Sequence, residues 1–190
     1  ARRKITLNPD GFLHCDGVDG YASVPDAANL NGLTDFVMEA KDVYMPEWGD
    51  AGLGPLVNKY GSGGNSFIFR RFGGNINFYA LYGGVGTHSD FPHGLTGAAT
   101  ASIRVTRVGT SVTAELDTGS GYAAIGSATT VPADATDTTT TPLEIGAISS
   151  EGQLLTGTIS RAQIWSDSTQ TTKVLDADFR DNPTTLGDTD

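Results

Sequence analysis

The chain has 190 residues, with 12 Lys plus Arg against 22 Asp plus Glu and a formal net charge of −10. That length suits one domain, or two small ones at most, and buries about two-thirds of the extended-chain surface without staples. The negative charge repels phosphate and argues against duplex DNA, RNA or anionic membranes as partners. No apolar run nears the ~18 residues of a membrane span, and the single cysteine, Cys15, precludes an intramolecular disulfide.

Twenty-five glycines against 18% charged residues, with frequent Thr and Val, is the makeup of short strands joined by tight turns. In chain order, Arg2, Arg3 and Lys4 form a short basic arm (residues 1–8), read as a solvated terminus or a docking tail for a partner. Cys15 reads as a small buried hydrophobe rather than a nucleophile. Phe36, Met38 and Ala40 alternate with Val37, Glu39 and Lys41, the pattern of a strand with one buried face. Pro46 to Gly54, with Trp48 among Glu47, Gly49 and Asp50, reads as a loop presenting an exposed ring.

Phe67 to Phe72 and Ile76 to Tyr82 flank Gly73-Gly74-Asn75, a hairpin turn. Gly83 to Thr100, with His88 and His93, reads as a glycine-rich loop. Ser102 to Val108 and Ser111 to Leu116 form a second hairpin around Gly109-Thr110. Val131 to Thr141 is a low-complexity run, a flexible connection or an exposed edge. Leu143 to Ile145 starts another strand. Within Leu155 to Trp165 the apolar phase shifts, which predicts a bulge near Ser160-Arg161. Leu175, Ala177 and Phe179 alternate in a last strand, and a polar tail occupies 183–190. About a dozen strands and no helix make an all-β, two-sheet sandwich or barrel in one domain.

The stretch Asp16-Gly17-Val18-Asp19-Gly20-Tyr21-Ala22-Ser23-Val24-Pro25-Asp26 resembles the opening hairpin of laminin-G-like, concanavalin A-like jelly rolls. Leu56 to Tyr60, Ile103 to Arg107, Thr113 to Asp117, Pro142 to Ala147 and Gly157 to Trp165 follow in the order of that family. The resemblance covers roughly residues 12 to 180. It implies an antiparallel two-sheet jelly roll with first and last strands close together, so that Leu175–Phe179 lies near Phe12–Cys15. The version ending in Arg161-Ala162-Gln163-Ile164-Trp165 and Val174-Leu175-Asp176-Ala177-Asp178-Phe179 is similar to modules of bacteriophage virion proteins, on tails and capsids. It implies a non-catalytic, homo-oligomeric protein at the virion surface that binds other virion subunits.

Glucanases of this fold carry Glu-x-Asp-x-Glu, whose alternation gathers three acids on one face. Here Glu39 and Asp42 are three apart. Asp176 and Asp178 share a face, but Arg180 stands in the third position. Glycoside hydrolysis is therefore the least favoured activity. No nucleophile elbow or Walker loop is present. His88, Asp90 and His93 have ligand-type side chains for zinc, set against an ordinary solvated or packed reading. Many laminin-G-like modules hold calcium. Asp16, Asp19 and Asp26 are the carboxylates that could hold it here, against a reading of Asp16 and Asp19 as turn supports. Ser160 and Arg161 replace acids that the family often has. No other cofactor is expected. The alternative to a virion subunit is a carbohydrate-binding module, with Trp48, Tyr44, Tyr79 and Tyr82 as stacking rings and Asn75 and Asn77 as hydroxyl partners. Core packing is the competing reading for Tyr79 and Tyr82.

Overall fold

The computed structural model describes residues 11–61, 64–134, 136 and 138–180. The basic arm Arg2, Arg3 and Lys4 and the tail 183–190 lie outside the described residues. Among the described residues sixteen strands follow one another: β1 (Leu13–Asp16), β2 (Ala22–Val24), β3 (Phe36–Met45), β4 (Leu53–Lys59), β5 (Ser66–Phe72), β6 (Asn75–Tyr82), β7 (Val85–Pro92), β8 (Ala99–Val108), β9 (Ser111–Asp117), β10 (Ala123–Thr130), β11 (Leu143–Ile145), β12 (Ala147–Ile148), β13 (Gln153–Leu154), β14 (Thr156–Ile159), β15 (Arg161–Trp165) and β16 (Lys173–Asp178). One-turn helices occupy Ala28–Leu30 and Ser149–Glu151.

The strand pairs among the described residues are antiparallel. The larger sheet runs β1-β14-β3-β8-β9-β10, with β15 and β16 continuing beside β3, and the smaller runs β2-β11-β4-β5-β6-β7. Phe36, Met38, Ala40, Ile103 and Val105 from the larger sheet meet Phe67, Phe69, Ile76 and Phe78 from the smaller in one core. This is the jelly-roll sandwich that the alternation and the order of motifs imply. Cys15 belongs to that core, and burial pushes its thiol up to about 12.

Three expectations change. The stretch from Asp16 to Asp26 is not a hairpin within one sheet: β1 pairs β14 in one sheet and β2 pairs β11 in the other. Gly83–Thr100 is not one loop but holds β7, whose Ser89 and Phe91 face inward while His88 and Asp90 face out. The described residues of the run Val131–Thr141 are held by side-chain hydrogen bonds. Arg107, fully buried, donates to the carbonyls of Pro132 and Asp134, and buried Lys59 donates to that of Thr139. The Thr136 hydroxyl donates to the Leu33 carbonyl. Threonine hydroxyls and two interior cations thus satisfy backbone groups that an exposed loop would leave to water.

The bulge expected near Ser160 is present as a break between β14 and β15, both of which lie along β3. Opposite it, β3 slips register between Ala40 and Val43 with Asp42 at φ 46°. The Ser160 hydroxyl donates to Asp42 Oδ2 at 2.7 Å, so the two irregularities lock together. β1 pairs β14 and β16 pairs β15, which sets the terminal strands end to end. A side chain added at Gly11 would lie 3.0 Å from Arg180 Cα.

The outward face of the larger sheet carries a ladder of ion pairs, and a smaller hollow of about 200 Å³ lies on it beside Asp42, Ser102 and Asp117. Glu39 is buried among Arg104 (3.3 Å), Lys41 (3.1 Å) and the Tyr122 hydroxyl, which donates at 2.8 Å. Arg104 reaches on to Glu115 and lies 3.9 Å from the Tyr122 ring centroid. Farther along, Arg161 grips Asp176 with two 2.7 Å bonds and also reaches Asp178 at 3.3 Å.

Candidate functional site

Alternation in three neighbouring strands builds the outward face of the smaller sheet. On β5 the core takes Phe67 and Phe69, so Ile68, Arg70 and Phe72 point out. On β6 the core takes Ile76, Phe78, Ala80 and Tyr82, leaving Asn75, Asn77, Tyr79 and Leu81 outside. Register then aligns them: Ile68, Tyr79 and His88 form one cross-strand row, and Arg70, Asn77 and Asp90 the next.

The polar row is joined by hydrogen bonds. Arg70 Nε donates to Asn77 Oδ1 at 2.8 Å, and Asn77 Nδ2 donates to Asp90 Oδ1 at 2.8 Å. Asn77 is therefore fully buried and oriented. The aromatic row lies beside it. Tyr79 is half-buried, with His88 4.6 Å away between ring centroids, Tyr60 at 6.3 Å and the Arg70 guanidinium at 5.6 Å. Gly86 makes room for this ring, since a Cβ there would sit 2.5 Å from the Tyr79 hydroxyl oxygen.

A short hairpin supplies a wall. β12 and β13, joined through Ser149–Glu151, fold against β4. Two outward side chains hold it: Asn58 donates to the Ala147 carbonyl, and Glu144 accepts from the Ser149 amide and hydroxyl. Between the hairpin tip and the β6–β7 turn lies a groove of about 730 Å³ lined by Tyr60, Leu81, Gly83, Gly84, Ser150 and Glu151. Its volume is in the range of small-molecule sites. The Tyr60 ring and the Glu151 carboxylate both line this groove. Burial first, then that carboxylate, raises the phenol pKa. Burial lowers the Arg70 pKa, opposed by Glu151, Tyr79 and Asp90.

The structure brings together only part of the expected set. Tyr79, Asn75 and Asn77 share the outward face. Tyr82 faces the core, where its hydroxyl accepts from Arg107 at 3.2 Å. Trp48, expected to be exposed, is fully buried. Its indole N–H donates to the Ala99 carbonyl at 2.8 Å and its ring meets His93 edge-on. The polar neighbours of Trp48 turn outward through their own local bonds, such as Glu47 accepting from Gly49 and Gly97. Tyr44 is 40% exposed on the outward face of the other sheet, where it cannot share a platform with Tyr79.

The zinc-type trio is divided. His88 and Asp90 point out from β7, whereas His93 is buried against Trp48. Of the candidate calcium carboxylates Asp16, Asp19 and Asp26, two have protein partners. Asp16 Oδ1 accepts from the amides of Val18, Asp19 and Gly20, which holds its pKa down at about 2. Asp26 is ion-paired to Lys59 at 2.9 Å. Among the described residues no group of three or more His, Cys, Asp or Glu is placed to hold a metal.

Sequence reading missed Tyr60, Arg70 and Glu151. Strand parity marks Arg70 as outward-facing. Nothing local marks Glu151, which reaches the groove only because the β12–β13 hairpin folds over Asn58.

No protein-family model matches the chain, and no curated protein matches it in sequence. Solved structures do. Domains LG4–5 of the mouse laminin α1 chain superpose with TM-score 0.58 and 10% identity over 93% of this chain and 47% of that one. The CBM40 module of the Ruminococcus gnavus IT-sialidase, bound to α2,3-sialyllactose, gives 0.57 and 12% over 83% of this chain and 91% of that one. The enzymatically active domain of bacteriophage CBA120 tailspike protein 2 gives 0.56 and 12% over 90% and 33%. The chain thus spans about half of the laminin pair and a third of the tailspike domain. At these identities the likeness concerns fold: the chain has the laminin-G-like, concanavalin A-like jelly-roll fold.

Proposed function

We propose that this jelly roll is a non-catalytic glycan-binding module of a phage virion surface. The observation that carries the binding reading is the Tyr79 ring, flanked by Arg70 and His88, beside a groove walled by Tyr60 and Glu151. A half-buried ring offers a flat apolar face to a sugar, and Asp90 and Glu151 beside it offer acceptors to its hydroxyls, while Asn77, fully buried with both amide atoms spent, holds the row in place. The CBM40 likeness agrees with this use of the fold. A binding role rather than hydrolysis is supported by the carboxylates in and beside the groove already having protein partners: Glu151 with Gln153, and Asp90 with Asn77.

The virion setting rests on the resemblance of Arg161–Trp165 and Val174–Phe179 to phage modules, together with the likeness to a tailspike domain. In that setting the chain would assemble as a homo-oligomer against capsid or tail subunits.

A glycan array followed by calorimetry tests the binding reading. Retained glycans should lose affinity about tenfold or more on Tyr60→Ala or Tyr79→Ala, the loss of a central contact. No retained glycan, or binding indifferent to both changes, overturns it. Mass spectrometry of purified particles tests the setting: the chain should be present in stoichiometric amounts, and its absence refutes a virion role.

A further inference from the structure

The charge of the groove is set by few residues. Among the described residues that line it or form its adjoining polar row, Arg70 is the one cation. Its Nε is spent on Asn77, and its guanidinium lies 5.1 Å from the Phe72 ring centroid and 5.6 Å from that of Tyr79. Two carboxylates face it, Glu151 from the hairpin tip and Asp90 from β7. One positive charge against two negative ones leaves the site net negative, within a chain of net charge −10.

This balance bears on the ligand. A carboxylate-bearing sugar set against Arg70 would meet one attraction and two repulsions. In a site open to water these terms together favour exclusion rather than capture. Hydrogen bonding points the same way. Glu151 and Asp90 are acceptors only, so a ligand must bring donors to them, which hydroxyls do and a carboxylate does not. Arg70 in turn donates to hydroxyl or acetamido oxygens without a formal counter-charge.

We propose, resting on the glycan reading above, that this groove selects neutral saccharides and discriminates against sialic and uronic acids. The fold therefore serves the opposite charge preference here from the sialyllactose-bound CBM40 module that it resembles.

The test uses the full chain on an array of matched pairs, such as lactose and α2,3-sialyllactose, near pH 8, above the range in which imidazoles titrate. Retained glycans should be neutral, each weakened by sialylation. Glu151→Gln keeps the side-chain shape and an acceptor oxygen and removes one charge. It should raise the ratio of sialylated to neutral affinity about two- to fivefold, the effect of one partly exposed charge, with the gain shrinking in high salt. Acidic glycans bound as well as or better than their neutral parents, or a ratio unmoved by Glu151→Gln, would overturn the selectivity while leaving glycan binding in place. An array that retains nothing at all strikes out the glycan reading and this inference with it.

Discussion

On the outward face of the larger sheet, Glu39 is surrounded by Arg104, Lys41 and Tyr122, and Arg161 by Asp176 and Asp178. On the outward face of the smaller sheet, Arg70, Asn77 and Asp90 form a similar cross-strand row, but it opens at one side into a groove. Both faces carry acids, cations and aromatic rings. In the first, these charges pair with neighbours on the same or the adjacent strand. In the second, a folded-over hairpin leaves one ring and several polar atoms beside empty space. The difference teaches that polar composition does not mark a binding face. What marks it is where the protein's own groups fail to close the network, which needs a wall, and the β12–β13 hairpin supplies one.

The contrast can be broken in steps. Trp48→Ala sets the upper end: this ring is core rather than platform, so the change should cost about 3–5 kcal/mol in chemical denaturation. A cost near zero would return Trp48 to the surface. Glu39→Ala attacks the ladder of ion pairs and should cost about 2–3 kcal/mol, less than for a fully enclosed pair because Arg104 and Lys41 reach water. Glycan affinity of the folded protein should not move. Tyr79→Ala attacks the open face and should do the reverse: about tenfold weaker glycan binding, equal to ~1.4 kcal/mol, with a smaller loss of stability. If both variants changed both readouts alike, the two faces would not be functionally distinct.

Acid sharpens the comparison further. Asp178, held down chiefly by Arg180, and Asp16, held down by the amides of Asp19, Val18 and Gly20, both sit at about 2, below the usual carboxylate value of 3.8. A depressed folded pKa lends stability that is complete above the ordinary value and is lost as pH falls toward the folded one. Tm should therefore hold steady down to about pH 4 and fall between there and pH 2; a Tm rising over that window would contradict the assignment. The smallest effect belongs to Lys173→Ala. Its 2.7 Å pair with Asp176 is exposed to water, so the change should stay within about 0.5 kcal/mol.

The fold was largely legible because period-two alternation is local. Phe36/Met38/Ala40 and Ile76/Phe78/Ala80 name their own buried faces, and glycine turns mark hairpins such as β5–β6. β7 escaped notice because Val85-Gly86-Thr87-His88-Ser89-Asp90 has few apolar residues on either face, as an edge strand allows. At the site, parity along β6 separates Asn75, Asn77 and Tyr79 from Tyr82. The burial of Trp48 is decided by the Ala99 carbonyl and His93, contributed by a segment far along the chain.

By itself the sequence determined an all-β sandwich with one buried side to each strand, because side-chain direction follows from backbone pleat and needs no distant partner. Tertiary structure alone decided where the groove of about 730 Å³ forms. That outcome depends on register between strands remote in sequence and on a hairpin carried by β11 across β4, where it meets side chains that no local pattern connects to it.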